Sequence, residues 1–337
     1  AIDIGSYDVI LEIFEISKKQ GIRSVDKICH RMELGKDTYT LGKIRPEMEE
    51  ELCRVLADFV RIMEGYRVDD YRATASSAIS EASNSLYVLG KIHQLTGLSV
   101  TVLSNSEQRF LSYKALAAME DNFNKIIEKG TAILDLDGGS FQISLFDKDA
   151  LVTTQNIRMG SLRIRERLAG IQSETEHYEE MVEELIWNEV SSFKKMYLKD
   201  RKIENIILIG DVFTDSVYQN IEEKTTKIIS RENFNTWYEK IIRQSPMELA
   251  VKLGIPLENA SLMYPSAVIY KCLIDMMGAE HIWIPGVHMT RGIAYEYAEQ
   301  MKLLKGGHNF ENDILMAAKN IGKRYAVNRP HVQNLEM

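Results

Sequence analysis

Apolar positions recur along this chain with two periods, two residues in short runs and three to four in longer ones. β-Branched and aliphatic residues at 1–5 and 9–16 flank a Gly-Ser turn and predict a strand hairpin. After Arg45-Pro46, the residues Leu52, Val55, Leu56, Phe59, Val60 and Met63 fall at helical spacing. Tyr71 to Ala75 predicts a short strand, a helix begins near Ile79, and Leu98 to Leu103 is a further strand. Ser104-Asn105-Ser106-Glu107 then has the form of a helix N-cap with an acid in the first turn. The order starts again with strands at 131–136, 142–147 and 151–157 and a helix from Gly160-Ser161. A long helix over 176–199, capped by Ser173 or Thr175, precedes a buried-type strand at 205–210. Helices at 265–277 and 290–304 bracket a strand at 281–284. A hairpin followed by alternating helix and strand, occurring twice, predicts an α/β fold with a mixed sheet in each of two lobes. Gly306-Gly307 reads as a linker before an amphipathic stretch at 312–325.

A length of 337 residues exceeds the usual single core and agrees with two domains of about 150 residues each. No apolar run approaches the ~20 residues that span a bilayer, so no membrane partner is expected. The net charge of −8 argues against a general nucleic-acid binder. Cys29, Cys53 and Cys272 are widely spaced and lack metal-ligand spacing, which predicts buried, reduced thiols in a cytoplasmic protein. Basic residues cluster at Lys18, Lys19, Arg23, Lys27, His30, Arg31 and Lys36, and again at Arg158, Arg163, Arg165 and Arg167. Solvated helix and loop faces are the expected setting for them.

The chemistry concentrates at two related turns. Ile2-Asp3-Ile4-Gly5-Ser6 is repeated, with what looks like an insertion, by Leu134-Asp135-Leu136-Asp137-Gly138-Gly139-Ser140. A turn without side chains lets backbone N–H groups close on a phosphate, while Asp3 and Asp135 can hold a hydrated metal ion. The pair predicts two similar lobes facing each other across a phosphate-binding cleft. Taken singly, each is more readily an ordinary glycine-bearing hairpin turn; the pair is what raises the alternative.

These residues resemble the exopolyphosphatase / guanosine pentaphosphate phosphohydrolase (Ppx/GppA) family of the actin–sugar kinase–Hsp70 superfamily, collinearly from residue 1 to about 305. Ala1 to Leu11 is similar to the family's first phosphate loop, and Ala75 to Asn84 to its A-T-S-A-L-R-E-A-x-N segment. Leu103 to Leu111 is similar to S-G-x-E-E-A-R-L, Asp135 to Ile143 to D-I-G-G-G-S-T-E-L, and Arg291-Gly292-Ile293 to the terminal L-R-E-G-L/I. The resemblance implies two duplicated ribonuclease-H-like lobes with a cleft between them, the first over 1–121 and the second over 122–305. It also implies that 306–337 starts a helical HD-like domain. The abrupt strand at Ala1 and the break after one tail histidine suggest a fragment.

The implied activity is release of terminal phosphate from polyphosphate or a phosphorylated guanosine nucleotide, with Mg²⁺. Gly5, Ser6, Gly138, Gly139 and Ser140 would bind phosphate, Asp3 and Asp135 the metal with Asp137 as a further candidate, and Glu107 would act as base. Arg109 and Arg291 are further phosphate-contact candidates, surface ion pairs being the simpler reading. A homodimer is expected by analogy alone. Several family positions are substituted. Tyr7 and Asp8 replace Asn-Ser, Ile10 and Ser80 replace arginines, Gln108 and Gln142 replace glutamates, Asp137 replaces a glycine, and Asp211 is an added acid. Glutamine orients a water but cannot take its proton. Two readings follow: a hydrolase that survives these changes, or a catalytically degraded member that binds a phosphate or nucleotide ligand and regulates. A small-substrate kinase is a third, lacking a recognisable adenosine loop.

Overall fold

The computed structural model describes residues 1–119, 123–148, 150–169, 178–198, 201–210, 212–220, 227–304, 308 and 310–328. The first lobe opens with β1 (Ile2–Ile4), β2 (Asp8–Ser17) and β3 (Gly21–Arg31), followed by α1 (Leu34–Leu41) and α2 (Pro46–Tyr66). It continues through β4 (Ala73–Ala75), α3 (Ser77–Ser80), α4 (Ser85–Thr96), β5 (Val100–Val102) and α5 (Asn105–Met119). The second lobe carries α6 (Phe123–Ile127), β6 (Thr131–Leu136), β7 (Phe141–Asp147), β8 (Ala150–Ile157), α7 (Ser161–Leu168) and α8 (Tyr178–Phe193). A π-helical turn (Lys194–Leu198) extends α8 and is followed by β9 (Asn205–Gly210), α9 (Val212–Asn220) and β10 (Ile228–Ser230). Then come α10 (Arg231–Ile242), α11 (Pro246–Leu253), α12 (Leu257–Met277), β11 (His281–Trp283), α13 (Met289–Gln300) and α14 (Phe310–Arg324).

The strand orders show the duplication. The first sheet runs β3-β2-β1-β4-β5 and the second β8-β7-β6-β9-β11, with β10 added at its edge. In each, the first two connections are antiparallel hairpins and the next two are parallel. The register also removes the apparent insertion. Ile4 pairs with Val9 and Leu136 with Phe141, so Gly5-Ser6-Tyr7-Asp8 and Asp137-Gly138-Gly139-Ser140 are turns of equal length. Both close with the same bond, Gly5 N–H to the Asp8 carbonyl and Asp137 N–H to the Ser140 carbonyl, each 2.9 Å. Asp3 pairs with Ile10 where Asp135 pairs with Gln142.

Burial follows the two periods. On α2, Leu52, Val55, Leu56, Phe59 and Met63 face the first sheet's core beside Ile2, Ile4 and Leu11, with Pro46 starting the helix where its missing N–H costs nothing. In the second sheet Leu134 and Leu136 face the core under α8, α9, α10 and α12, while Ile133, Ile207 and Ile209 face α5 and α6. Such a sheet is covered on both sides, so its strands read as nearly continuous apolar runs.

Several expected elements differ. The basic residues Arg23, Lys27, His30 and Arg31 lie on the edge strand β3, not on helix or loop faces. The helix expected over 265–277 starts at Leu257 and contains Pro265. The expected caps Ser173 and Thr175, together with Asp211, lie outside the described residues. The sequence boundary between lobes is crossed by α13, which packs on α5. A Cβ on Gly292 would come within 2.2 Å of the Leu111 carbonyl, and Thr290 donates to the carboxylate of buried Glu12 on β2. Helix α14 lies against β8, where Asp313 accepts the Leu151 N–H at 3.3 Å. Among the described residues, no helix is long and apolar enough to cross a membrane.

Candidate active site

The carboxyl ends of parallel strands from both sheets converge on one cavity of about 320 Å³. Asp3 on β1, Ser76 after β4 and Gln108 after β5 approach from the first lobe. Asp135 on β6, Gly210 at the end of β9 and His288 beyond β11 approach from the second. Open α/β sheets place ligands beyond strand carboxyl ends, because the chain leaves backbone groups and loops there. Gly210 adopts φ +99°, and a Cβ would lie 2.1 Å from the Leu136 carbonyl, so glycine is required for β9 to end against β6.

Five aspartates line the cavity: Asp3, Asp8, Asp135, Asp137 and Asp215. Burial, then the neighbouring charges of Asp8 and Asp137, pushes Asp3 up to about 7. Burial raises Asp137 to about 6 despite its bond from the Gly138 N–H, and Asp135 and Asp8 also lie above their ordinary range for the same first reason. Crowded, desolvated carboxylates of this kind are stabilised by a cation. Arg31 supplies one at 3.2 Å from Asp8, its guanidinium also 5.7 Å from the Tyr7 ring centroid. Lys27, Cys29 and Arg31 all line the cavity because alternate β3 residues share a face. Cys29, expected to be buried, is exposed on the edge strand; desolvation of its thiol and the charge of Asp8 push it up to about 12, which disfavours the thiolate.

Gln108 and Gln142 also line the cavity, at 8 % and 6 % exposure. Gln108 Nε2, Gln142 Oε1 and the hydroxyls of Ser76 and Ser161 are buried without a protein hydrogen-bond partner. Orphaned polar atoms around a cavity mark positions where water or ligand completes the bonding.

The phosphate-binding candidates divide. Gly5, Gly138 and Ser140 line the cavity, whereas Ser6 and Gly139 pack into the contact between the lobes. The fully buried Ser6 hydroxyl lies 2.7 Å from Tyr39 Oη, which lies 2.8 Å from Ser77 Oγ. A Cβ on Gly139 would fall 2.1 Å from Tyr39 Oη. Arg163 stacks 3.8 Å from the Tyr39 ring centroid, donates to the Gly139 carbonyl and reaches Glu81 at 3.0 Å. Arg165 pairs with Glu33 at 2.7 Å, and Tyr7 donates to Asn259 at 2.8 Å. Two arginines expected on solvated faces, Arg163 and Arg165, therefore join the lobes, and Tyr7 serves the same contact.

Glu107 is not brought to the cavity. It is exposed and closes a capping box on α5, accepting from Ser104 N–H and Oγ, both 2.7 Å, which holds its carboxyl below the usual range. The next residue, Gln108, points inward instead. Ser80 is exposed at the end of α3. Arg109 bonds Thr154 and Ser106. Sequence reasoning missed Lys27, Arg31, Asp215 and His288. The alternation Lys27-x-Cys29-x-Arg31 was a signal for two of them, while nothing local marks Asp215 or His288.

Among the described residues, no three His, Cys, Asp or Glu side chains are placed to ligate one ion together. The oxygen donors suit a hard divalent cation held through one or two carboxylates and its own waters, the usual state of Mg²⁺.

The model of the Ppx/GppA phosphatase family matches residues 12–301. A bifunctional 3-dehydroquinate synthase/phosphatase of Fusobacterium nucleatum is 21 % identical over 309 residues, 84 % of this chain and 44 % of that protein. Exopolyphosphatase 1 of Mycobacterium leprae is 25 % identical over 144 residues, 42 % of this chain and 41 % of its own. The chain thus spans less than half the length of these curated relatives. An exopolyphosphatase structure from Cytophaga hutchinsonii superposes with a TM-score of 0.79 at 17 % identity, covering 89 % of this chain and 97 % of that one. A Ppx/GppA family member from Aquifex aeolicus gives 0.71 at 18 % identity, with the same coverage. These structures share the fold of duplicated lobes around a cleft. By its sequence match across most of its length, the chain belongs to the Ppx/GppA phosphatase family.

Proposed function

We propose that this protein is a phosphoanhydride hydrolase, releasing terminal phosphate from polyphosphate or guanosine pentaphosphate in the cavity between the lobes. One observation carries the reading: two copies of one Asp-bearing hairpin meet at one cavity fringed by Lys27 and Arg31. The family membership and the exopolyphosphatase relatives support it.

Asp3 and Asp135 would hold Mg²⁺, which supplies charge neutralisation for the phosphoryl oxygens. Lys27 and Arg31 meet the outer phosphates at the open side. Gln108, Gln142, Ser76 and Ser161 offer their unmatched polar atoms to phosphoryl oxygens or to the attacking water. Asp137 accepts the Gly138 N–H at 2.5 Å and so takes a donor that a phosphate would otherwise use. Binding of a bare polyanion is weakened by this and by the acid crowd, which makes the cation indispensable. The unpaired thiols accord with a cytoplasmic location.

Inorganic phosphate release from both substrates with and without Mg²⁺ tests the reading. Turnover that stops with a chelator and in Asp3→Asn and Asp135→Asn is expected. Phosphate release no faster than from substrate alone would overturn it.

A further inference from the structure

The cavity needs a proton acceptor for water, and the family's glutamates do not supply it here. Glu107 is committed to Ser104 outside the cavity, and Gln108 and Gln142 are amides. Asp3 and Asp135 go to the cation, Asp8 is held by Arg31, and Asp137 is bonded to the Gly138 N–H. Among the described residues, two further proton-accepting side chains line the cavity and lie side by side, the carboxylate of Asp215 and the imidazole of His288.

We propose that His288 accepts the proton of the attacking water and that Asp215 is its positioning residue, a role resting on the phosphohydrolase reading above. Nε2 of His288 lies 3.7 Å from Asp215 Oδ1, a gap that a small side-chain rotation closes to a hydrogen bond. That contact leaves Nδ1 as the basic nitrogen. The backbone delivers the ring deliberately. Gly286 turns at φ +66° against the Tyr218 ring, Val287 anchors in the core, and His288 is the N-cap of α13. The positive end of that helix disfavours imidazolium. Burial likewise lowers the ring below its ordinary value. Lys27 on β3 acts in the same direction, while Asp215 on α9 and Glu12 and Asp8 on β2 oppose it. The ring is thus neutral and able to accept at pH 7.

In the step, a water O–H bond breaks and its proton moves to Nδ1. The water oxygen bonds the terminal phosphorus as the P–O bridge breaks, and that electron pair leaves on the shortened chain. The imidazolium then returns the proton to solvent, and no oxidant or further reactant is required.

The experiment measures phosphate release with Mg²⁺ for the wild type, His288→Ala, His288→Gln and Asp215→Asn, with and without 100 mM imidazole as a ~0.1 M stand-in base. The expected result is a fall in kcat of about 10²-fold or more in both His288 variants, with KM little changed. Asp215→Asn loses about tenfold, and added imidazole restores His288→Ala at least about tenfold. A wild type inert on both substrates overturns the phosphohydrolase reading and this inference with it. A wild type that turns over, with His288→Gln equally active, overturns the inference alone. So does a loss in His288→Ala that imidazole leaves unrepaired, because a purely structural histidine is not rescued by a free base.

Discussion

The two hairpins at the cavity have the same length, the same closing hydrogen bond and the same leading aspartate, yet they spend their turns differently. The first buries Ser6 against Tyr39, sends the Tyr7 hydroxyl across to Asn259, and lines the cavity with Gly5, Tyr7 and Asp8. The second packs Gly139 against Tyr39 and keeps Asp137, Gly138 and Ser140 at the cavity. Across the strand, Asp3 faces an apolar partner where Asp135 faces an amide. A duplicated turn therefore preserves backbone geometry while its positions divide the labour: each copy sends three residues to the cavity, but the joint is made by a side chain, Tyr7, in one and by a bare backbone, Gly139, in the other.

The strongest way to break this contrast is Gly139→Ala. Its Cβ has no room beside Tyr39 Oη and Ser77 Oγ, 2.1 and 2.6 Å away, whereas at Gly5 the nearest atom is at 3.0 Å. We expect Gly139→Ala to lose about 3 kcal/mol in urea unfolding and Gly5→Ala about 1 kcal/mol. Equal losses would end the distinction between a glycine packed into the joint, Gly139, and one at the lining, Gly5. Gln142→Glu places a second buried carboxylate opposite Asp135. Without Mg²⁺ it should cost about 2 kcal/mol, and saturating Mg²⁺ should recover most of that, read as a shift in Tm. Tyr39→Phe removes the hydroxyl shared by Ser6 and Ser77 and should cost about 1 kcal/mol.

The smallest effect is in pH. The folded-state value of Asp3 is raised to about 7 from 3.8, so between those values the folded protein binds the extra proton. Stability without Mg²⁺ should fall as pH rises from about 4 to 7, and Asp3→Asn should flatten that slope in thermal melts. A slope of opposite sign would show that Asp3 is already paired with a cation in the folded protein.

Long periodic elements were legible in the sequence. Helix α2 begins at Pro46 as its spacing required, and β6, β7 and β8 match within a residue or two. The matched turns were obscured because Gly5 and Gly138 invite alignment with each other, while the pairing makes Gly5 equivalent to Asp137. Glu107 followed its motif into a cap, because an acid three residues after Ser104 satisfies the helix terminus whatever else it could do. Asp215 and His288 meet only when β9 and β11 lie side by side, information no local window holds.

The return of α13 to the first lobe has a consequence for how the chain comes into being. Buried Glu12 on β2 receives the Thr290 hydroxyl, a partner 278 positions later. Until that stretch has been synthesised, the N-terminal half carries a carboxylate in its interior without this donor, and α5 has no α13 to cover it. The N-terminal half is therefore expected to mature only together with the rest of the chain. Splitting the gene between the lobes should give two products that acquire native protease resistance together, once both are present.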